Sequence, residues 1–261
     1  AEEDLKKIIK ELKGTIRKYS AKKASNIESK FENMIFVQGG KHQPSFANEE
    51  KEVFDIEVCK YPTTQKMWTE VMENNPSEFK GDNKPIESIT WWEALEFCNK
   101  LSEKYGLEPV YDLSRSEQEI LMIKELGKKI VSPEKANFKN TEGFRLSTEV
   151  EWEWFAKGGQ KAIEQGTFEC KYSGSNNIDE VAWYLNNSDF KNTNISIKDV
   201  ALKKPNQLGL FDCSGNIWEW CYDTTGEIEN GKLYTYKTFK PYNIYRRIKG
   251  GSGAYSAKSS L

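Results

Sequence analysis

Histidine is almost missing from this chain, because His42 is the only one among 261 residues. A zinc or iron centre built from several histidines therefore cannot form within one chain. A serine–histidine–acid triad stays arithmetically possible, yet no Gly-x-Ser-x-Gly or similar nucleophile motif occurs. His42 lies in a run of glycine and polar residues, which predicts a solvated loop position.

Cysteine pairs with metal-binding or redox spacing are missing as well. None of the five cysteines belongs to a CxxC motif, and their odd number leaves at least one thiol unpaired within the chain. Their spacing resembles no disulfide framework, so the sequence does not define a redox compartment. They are Cys59, Cys98, Cys170, Cys213 and Cys221.

Arginine, excess charge and long apolar runs are scarce. Only five of the 38 basic residues are arginine, and the net charge is −2, so no nucleic-acid partner is expected. No apolar run reaches the length of a transmembrane helix, and residues 1–4 do not begin a signal peptide. A leader removed before Ala1 is compatible with this pattern.

Aromatic residues, by contrast, are plentiful. The chain has 8 Trp, 12 Tyr and 13 Phe, which together make 13% of its residues. Disordered chains are poor in aromatic residues, so most of this one is expected to fold.

Residues 1–30 differ from the rest of the chain. Apolar residues recur there at helical spacing, and Lys and Glu fill the other positions, which predicts an amphipathic helix followed by a polar linker over 20–30. Such a helix can dock on the main domain, pair with another chain or act as a stalk, and docking is the commonest outcome. The apolar residues are Leu5, Ile8, Ile9, Leu12, Ile16 and Tyr19.

Residues 31–261 form the expected main domain, interrupted by a polar insertion near 114–142 with a helix over 116–129. Residues 34–37 and the alternating residues 54–58 predict strands. Capping boxes at Thr90 and Thr148 predict two helices, of which the first ends near Gly106 and the second at Gly158-Gly159. Irregular backbone held by buried aromatic residues is expected after that point.

Eight phrases occur in an order that characterises one family. Together they resemble the formylglycine-generating-enzyme, or sulfatase-modifying-factor, domain over residues 31–261. The resemblance implies an α+β, C-type-lectin-like fold of the formylglycine-generating-enzyme subtype, with much irregular structure. The phrases are MIFVQGG (34–40), NPSEFKG (75–81), ITWWEA (89–94), FCN (97–99), GFRLSTEVEWE (143–153), PNQLGL (205–210), GNIWEW (215–220) and KGGS (249–252).

Two of these phrases contain candidate structural residues. Arg145 is expected to form a partly buried ion pair with Glu149 or Glu151. Trp218 and Trp220 alternate as in a strand and are expected to fill the core.

Residues 212–219 predict a metal site. The matching turn in some members of the family binds calcium, and calcium prefers hard oxygen ligands. Here the Asp212 and Glu219 carboxylates and the Gly215 and Ile217 carbonyls supply such oxygens. A structural calcium ion is therefore an expectation, and no other cofactor is required. A Gly-Asn turn with satisfied carbonyls would have the same sequence.

The end of the chain departs from the enzymes of the family. Those enzymes bind copper through two cysteines after the Gly-Gly-Ser phrase, whereas this chain has Tyr255 and Ser260 at the expected positions. A hydroxyl group is a poor copper(I) ligand, so a protein that is not an enzyme is expected. The alternative is a copper-dependent formylglycine-generating oxidoreductase acting on peptidyl cysteine, which would need an unexpected thiol arrangement such as Cys213 with Cys221.

Residues after Gly251 resemble the diversified segment of variable proteins of diversity-generating retroelements, the treponemal ones above all. The residue types at positions 253, 254, 255, 259 and 260 each have a codon that is reachable from AAC by changing adenines alone, whereas Lys258 has none. The resemblance implies a ligand-binding protein, exported to the cell surface, that recognises an extracellular ligand, expected to be a protein. A third hypothesis is a structural or regulatory module that recruits its partner through residues 1–30. The candidate ligand-binding residues are Gly253, Ala254, Tyr255, Ser256, Lys258, Ser259 and Ser260.

Overall fold

The computed structural model describes residues 31–114, 142–188, 197–224, 227–229, 232–234 and 246–253. Three features predicted from the sequence lie outside these ranges. They are the N-terminal helix, the helix over 116–129, and residues 254–261 of the segment after Gly251, which is called the candidate binding segment below. The described part combines five helices and ten short strands with much irregular backbone.

The strands are short and pair two by two. The predicted strand over 34–37 forms, whereas the strand predicted over 54–58 begins two residues later. Four of the pairs are antiparallel, and β5 with β6 is parallel. The pairs are β1 (Met34–Val37) with β4 (Ile56–Cys59), β2 (Gly40–His42) with β3 (Lys51–Val53), β5 (Ala182–Trp183) with β6 (Ser214–Gly215), β7 (Glu219–Thr224) with β10 (Arg246–Lys249), and β8 (Glu227–Glu229) with β9 (Lys232–Tyr234).

Both predicted capping boxes form, and they define where two helices begin. The Thr90 hydroxyl accepts a hydrogen bond from the Glu93 N–H at 3.2 Å, and the Glu93 carboxylate accepts one from the Thr90 N–H at 2.7 Å. The same exchange occurs between Thr148 and Glu151. The helices are α1 (Gln65–Met72), α2 (Trp91–Lys104), α3 (Glu149–Ala156), α4 (Gly159–Glu164) and α5 (Ile178–Val181).

The helix ends agree with the sequence in part. Helix α2 ends next to Gly106, as predicted. Gly158 follows α3 with a positive φ of 90°, but Gly159 begins α4, so the two glycines join two helices. Within the described ranges, no helix combines the length and the apolar character needed to cross a membrane.

Two hydrophobic clusters make up the core. One surrounds Trp154 and includes Val37, Leu210 and Cys221, and the other contains Trp68 stacked on its neighbour Phe97 with ring centroids 5.1 Å apart.

The prediction that Trp218 and Trp220 fill the core is wrong for Trp218. This residue precedes strand β7 and is half-buried. Trp220 lies in the strand, and it too is half-buried, packed against the Trp68 cluster. The alternation in the sequence did not show that strand β7 begins only after Trp218.

His42 is also placed differently from the prediction. It ends strand β2 and is only 4% exposed, because helix α3 covers it. Its Nε2 lies 3.1 Å from the Val150 carbonyl oxygen, to which the neutral ring donates, and its ring centroid lies 5.5 Å from that of Trp154. Burial lowers the pKa of His42, although its contact with the Val150 carbonyl opposes this.

We expect His42 to make the domain less stable in acid. Because its folded pKa lies below the unfolded value of 6.5, the folded state binds fewer protons, and its contribution is lost as the pH falls below 6.5. Urea unfolding at pH 7.5 and 5.5 should show this loss, and the difference in unfolding free energy between the two pH values should be smaller for His42→Gln than for the unmodified protein. Equal differences would contradict the prediction.

Candidate functional site

Helix α3 has all eight residues buried, including three glutamates, so its carboxylates need partners. Arg145 binds Glu151 in a bidentate ion pair with N–O distances of 2.7 and 2.8 Å. Burial alone would raise the pKa of Glu151, but the Arg145 guanidinium lowers it below its usual value. The sequence left Glu149 and Glu151 as alternative partners, and the structure selects Glu151.

Glu149 instead joins helix α3 to strand β10. Its carboxylate lies 3.0 Å from Arg247 Nε and 3.6 Å from Lys249 Nζ. Lys249 Nζ also lies 3.8 Å from the Glu153 carboxylate. Burial raises the pKa of Glu149 and outweighs the opposing effect of the two cations. Sequence reasoning missed these pairs, although the two basic residues stand two positions apart, on one side of a strand.

Strand β10 leads directly into the candidate binding segment through a glycine turn. Gly250 and Gly251 have φ angles of 91° and 81°, which side chains rarely tolerate. The Gly250 carbonyl accepts a hydrogen bond from the Gly215 N–H at 2.6 Å. The turn is therefore fixed to strand β6.

At the start of the candidate binding segment, the backbone N–H and the carbonyl of Gly253 both form hydrogen bonds. The Gly253 N–H donates to the Asn216 carbonyl at 3.1 Å, and the Gly253 carbonyl accepts from the Ser188 hydroxyl at 2.6 Å. Gly253 itself is buried, so it contributes position rather than contact area. The remaining predicted ligand-binding residues, Ala254, Tyr255, Ser256, Lys258, Ser259 and Ser260, lie outside the described ranges.

The predicted calcium ligands are only partly brought together. A methyl group built on Gly250 would lie 3.4 Å from the Ile217 carbonyl oxygen, 3.6 Å from the Cys213 carbonyl oxygen and 3.6 Å from Glu219 Oε1. Three hard oxygens thus lie within 3.6 Å of one point, and the Cys213 carbonyl was not predicted. The Gly215 carbonyl, in contrast, accepts from the Ile217 N–H at 2.8 Å.

The Asp212 carboxylate forms hydrogen bonds outside this group of oxygens. Its Oδ2 accepts a hydrogen bond from the Ala201 N–H at 2.7 Å, and its Oδ1 lies 3.5 Å from the Asn216 amide nitrogen. Burial raises the pKa of Asp212 to about 6 and that of Glu219 to about 8. A cation beside Glu219 would offset the cost of its buried charge, so this carboxylate fits a metal better than Asp212 does.

The thiols named in the enzymatic alternative are poor metal ligands in this environment. Cys213 and Cys221 are both buried, and burial raises the pKa of each thiol well above its usual value. The thiolate, rather than the thiol, binds metals. Across the described ranges, no three His, Cys, Asp or Glu side chains are arranged to hold a metal ion.

A groove with a volume of about 940 Å³ opens on the described domain, and the sequence did not indicate it. Its lining includes Ser252, which follows the glycine turn, Trp218, which precedes strand β7, and Cys59 at the end of strand β4. It also includes Phe31 and Tyr105, whose ring centroids lie 5.3 Å apart. The groove therefore reaches both the start of the domain and the root of the candidate binding segment.

Short paired strands, irregular connections and a glycine turn leading to a terminal segment define a C-type-lectin-like domain of the formylglycine-generating-enzyme type. Residues 19–260 match the Sulfatase-modifying factor enzyme 1-like domain, and the chain belongs to this family. The resemblance and the fold class predicted from the sequence are confirmed.

The chain is similar to three known proteins. It is 34% identical over 251 residues to the chaperone protein LppX of Paenibacillus barcinonensis, covering 88% of this chain and 81% of that protein. The solved structure of Treponema denticola variable protein 1 is similar with a TM-score of 0.62 and 30% identity, covering 87% of this chain and 86% of that one. The formylglycine-generating enzyme of Streptomyces coelicolor is 32% identical over 91 residues, which are 31% of this chain and 26% of that enzyme.

Proposed function

We propose that this protein is a non-enzymatic ligand-binding protein that presents a diversified recognition surface on a C-type-lectin-like scaffold. The observation that carries the proposal is the anchoring of the segment after Gly251. Ion pairs hold strand β10 to the buried helix α3, and Gly253 is bound at both backbone groups. The likeness to a variable protein supports the same function.

Such anchoring separates folding from recognition. The contacts that anchor the segment within the described ranges lie before position 254. The proposal therefore predicts that later side chains can change without loss of the core. Tyr255 suits recognition because tyrosine offers a large rigid contact area at low entropic cost, and the serines add adaptable hydrogen bonds. The proposed ligand is an extracellular protein. The proposed surface comprises Ala254, Tyr255, Ser256, Lys258, Ser259 and Ser260, and the buried Gly253 holds the start of this segment in place.

We expect Tyr255→Ala to weaken ligand binding without unfolding the domain. A surface substitution shifts stability by about 0.5 kcal/mol or less, whereas an aromatic interface anchor contributes more than about 1–2 kcal/mol. Thermal melting should therefore show a nearly unchanged midpoint. Binding to a partner isolated with the unmodified protein should weaken by about 5–30-fold.

A second set of variants separates the two parts of this prediction. Random residues at positions 254, 255, 256, 258, 259 and 260 should leave most variants folded, with melting midpoints near that of the unmodified protein. If Tyr255→Ala or most of the random variants unfold, the segment is part of the core and the proposed recognition surface is wrong.

The non-enzymatic part of the proposal has its own test. A sulfatase-motif peptide containing cysteine is incubated with the protein, copper and oxygen, and the product is analysed by mass spectrometry. No formylglycine is expected, because Tyr255 and Ser260 replace the copper-binding cysteines of the enzymes. Formylglycine in the product would establish the oxidoreductase alternative.

A second candidate function is that of a chaperone, favoured by the 34% identity to LppX over 88% of the chain. A chaperone would suppress aggregation of thermally unfolding citrate synthase at near-stoichiometric ratios. A recognition protein with one selected ligand would not. The first result would favour the chaperone function over the diversified surface.

We also propose that the protein is exported and displayed at the cell surface, since a diversified recognition surface meets its ligands outside the cell. Protease treatment of intact cells should then digest the protein. Complete protection in intact cells, with digestion after lysis, would contradict surface display.

Calcium is proposed as a structural ion at the turn between Cys213 and Glu219. If Glu219 and the Ile217 carbonyl bind it, EDTA should lower the melting midpoint and added calcium should restore it, because an ion bound to the native state stabilises that state. Glu219→Gln should abolish this response. Asp212→Asn is the matched control and should retain it, since Asp212 has other partners. Identical melting curves with EDTA and with calcium would contradict the site.

A further inference from the structure

The groove described above has an apolar lining and an acidic margin. Phe31, Tyr105 and Phe144 form an aromatic cluster within it, with ring centroids 5.2 to 5.6 Å apart, and Tyr105 is 47% exposed. Large aromatic surface left exposed in this way is commonly a contact site. Seven carboxylates line the groove. Glu151 is paired with Arg145, which also lines the groove, and Glu219 lies beside the Gly250 turn. The other five belong to Glu32, Asp55, Glu57, Glu87 and Glu142.

These carboxylates share one electrostatic property. None of the five forms an ion pair with a lysine or arginine of the described ranges, although Asp55 and Glu87 accept backbone hydrogen bonds. Carboxylates of one sign around one groove raise the local negative potential. A suitable occupant therefore has an apolar face to cover the aromatic cluster and basic side chains to meet the margin.

The chain carries a segment with this chemistry. Residues 5–19 contain six basic residues against one acidic residue, together with the apolar stripe predicted above. As a helix they would be about 22 Å long. At about 100° per residue, Lys6, Lys13 and Arg17 lie along one flank of the stripe, whereas Lys7 and Lys18 lie on the face opposite to it.

The connection also permits this segment to reach the groove. Phe31, the first described residue, lines the groove itself. Residues 20–30 are eleven residues, which span up to about 36–40 Å when extended. The family match begins at residue 19, so residues 5–18 lie before the matched range.

We propose that residues 5–19 bind as a basic amphipathic helix in the acidic groove of the same chain. The apolar stripe covers the aromatic cluster, and Lys6, Lys13 and Arg17 face the carboxylates of the margin. The segment is then an integral part of the folded protein, and its release would expose the groove. This interaction is independent of the recognition surface proposed above.

The native cysteines provide a test in the full-length protein. Cys59 lines the groove, whereas Cys170 is also half-buried but does not line it. Alkylation of each thiol under native conditions is followed by mass spectrometry of the digested protein. Charge reversal of Lys6, Lys13 and Arg17 to Glu should accelerate alkylation of Cys59 several-fold and leave Cys170 unchanged. Lys7→Glu with Lys18→Glu is the matched control and should change neither rate.

A charge swap tests the partners directly. Adding Glu32→Lys, Glu57→Lys and Glu142→Lys to the triple reversal should restore slow alkylation of Cys59. Removing residues 1–19 should accelerate it as the triple reversal does, and a peptide of residues 1–19 added in trans should slow it again.

Three results would overturn the proposal. The first is an unchanged Cys59 rate in both the triple reversal and the truncated protein. The second is equal acceleration by the control pair, which would indicate a non-specific charge effect. The third is protection of Cys59 that disappears on dilution together with a dimer, which would place the segment of one copy in the groove of another.

Discussion

Replacing Arg145 with Met should lower the free energy of unfolding by about 3–5 kcal/mol, because it leaves the buried Glu151 carboxylate without its cation. Arg145 binds Glu151 with two N–O distances of 2.7 and 2.8 Å and also donates to the Leu146 carbonyl at 3.1 Å. Urea unfolding at pH 7 measures the loss. Arg145→Lys should recover only part of it, since an ammonium group cannot form the bidentate pair.

A double variant distinguishes loss of the ion pair from loss of packing. Adding Glu151→Gln to Arg145→Met removes the unpaired charge, so the double variant should be more stable than Arg145→Met alone. Because the pKa of Glu151 is lowered in the folded state, the contribution of the pair is present above the unfolded value of 4.5. It is lost as the pH falls through the folded pKa. Strictly additive losses at pH 7 would mean that Arg145 stabilises the domain mainly by packing.

This pair was predictable because its partners lie six residues apart, beside a capping box that fixes the start of helix α3. The partners of Glu149 were not, since Arg247 and Lys249 follow it by about a hundred residues. The glutamate spacing E-x-E-x-E indicates neither a buried helix nor the strand that its carboxylates will meet. Capping residues close in sequence predicted where α2 and α3 begin and end. Contacts between residues far apart in the sequence determine which charges are buried.

The same distinction explains the result for His42. Its neighbours in the sequence are glycines and polar residues, which are typical of a loop. Its burial depends on helix α3, which reaches it through the Val150 carbonyl 108 residues later. No local pattern carries that information. A lone histidine beside a two-glycine turn therefore looked solvated although it is part of the core.

The candidate site was predictable in outline through the order of the family phrases. They identified the Gly250-Gly251 turn and the segment after it, and the fold places that turn at the end of a strand held by ion pairs. The acidic groove was not predictable, because its margin is assembled from separate loops and strands. Its carboxylates are isolated in the sequence and converge only in the folded chain.

The two tryptophans Trp154 and Trp218 should respond very differently to substitution by alanine. Trp154 is 0% exposed, and its Nε1 donates to the Gln38 carbonyl at 3.0 Å. Strand β2 packs directly on its ring, since a methyl group built on Gly40 would lie 2.6 Å from Trp154 Cη2. Trp154→Ala would leave a cavity between strand β2 and helix α3. We expect it to cost about 3–5 kcal/mol.

Trp218→Ala should cost about 1–2 kcal/mol, because only part of its apolar surface is buried. Both variants lose the same side chain, so a difference between their free energies of unfolding in urea at pH 7 reflects how deeply each tryptophan is buried. The Trp154 loss is a large fraction of the total stability of about 5–15 kcal/mol typical of a domain. Because Trp218 lines the groove, we expect its loss to weaken contacts made in the groove more than it lowers the stability of the fold. Equal losses at the two positions would mean that Trp218 supports the core as the sequence alone suggested.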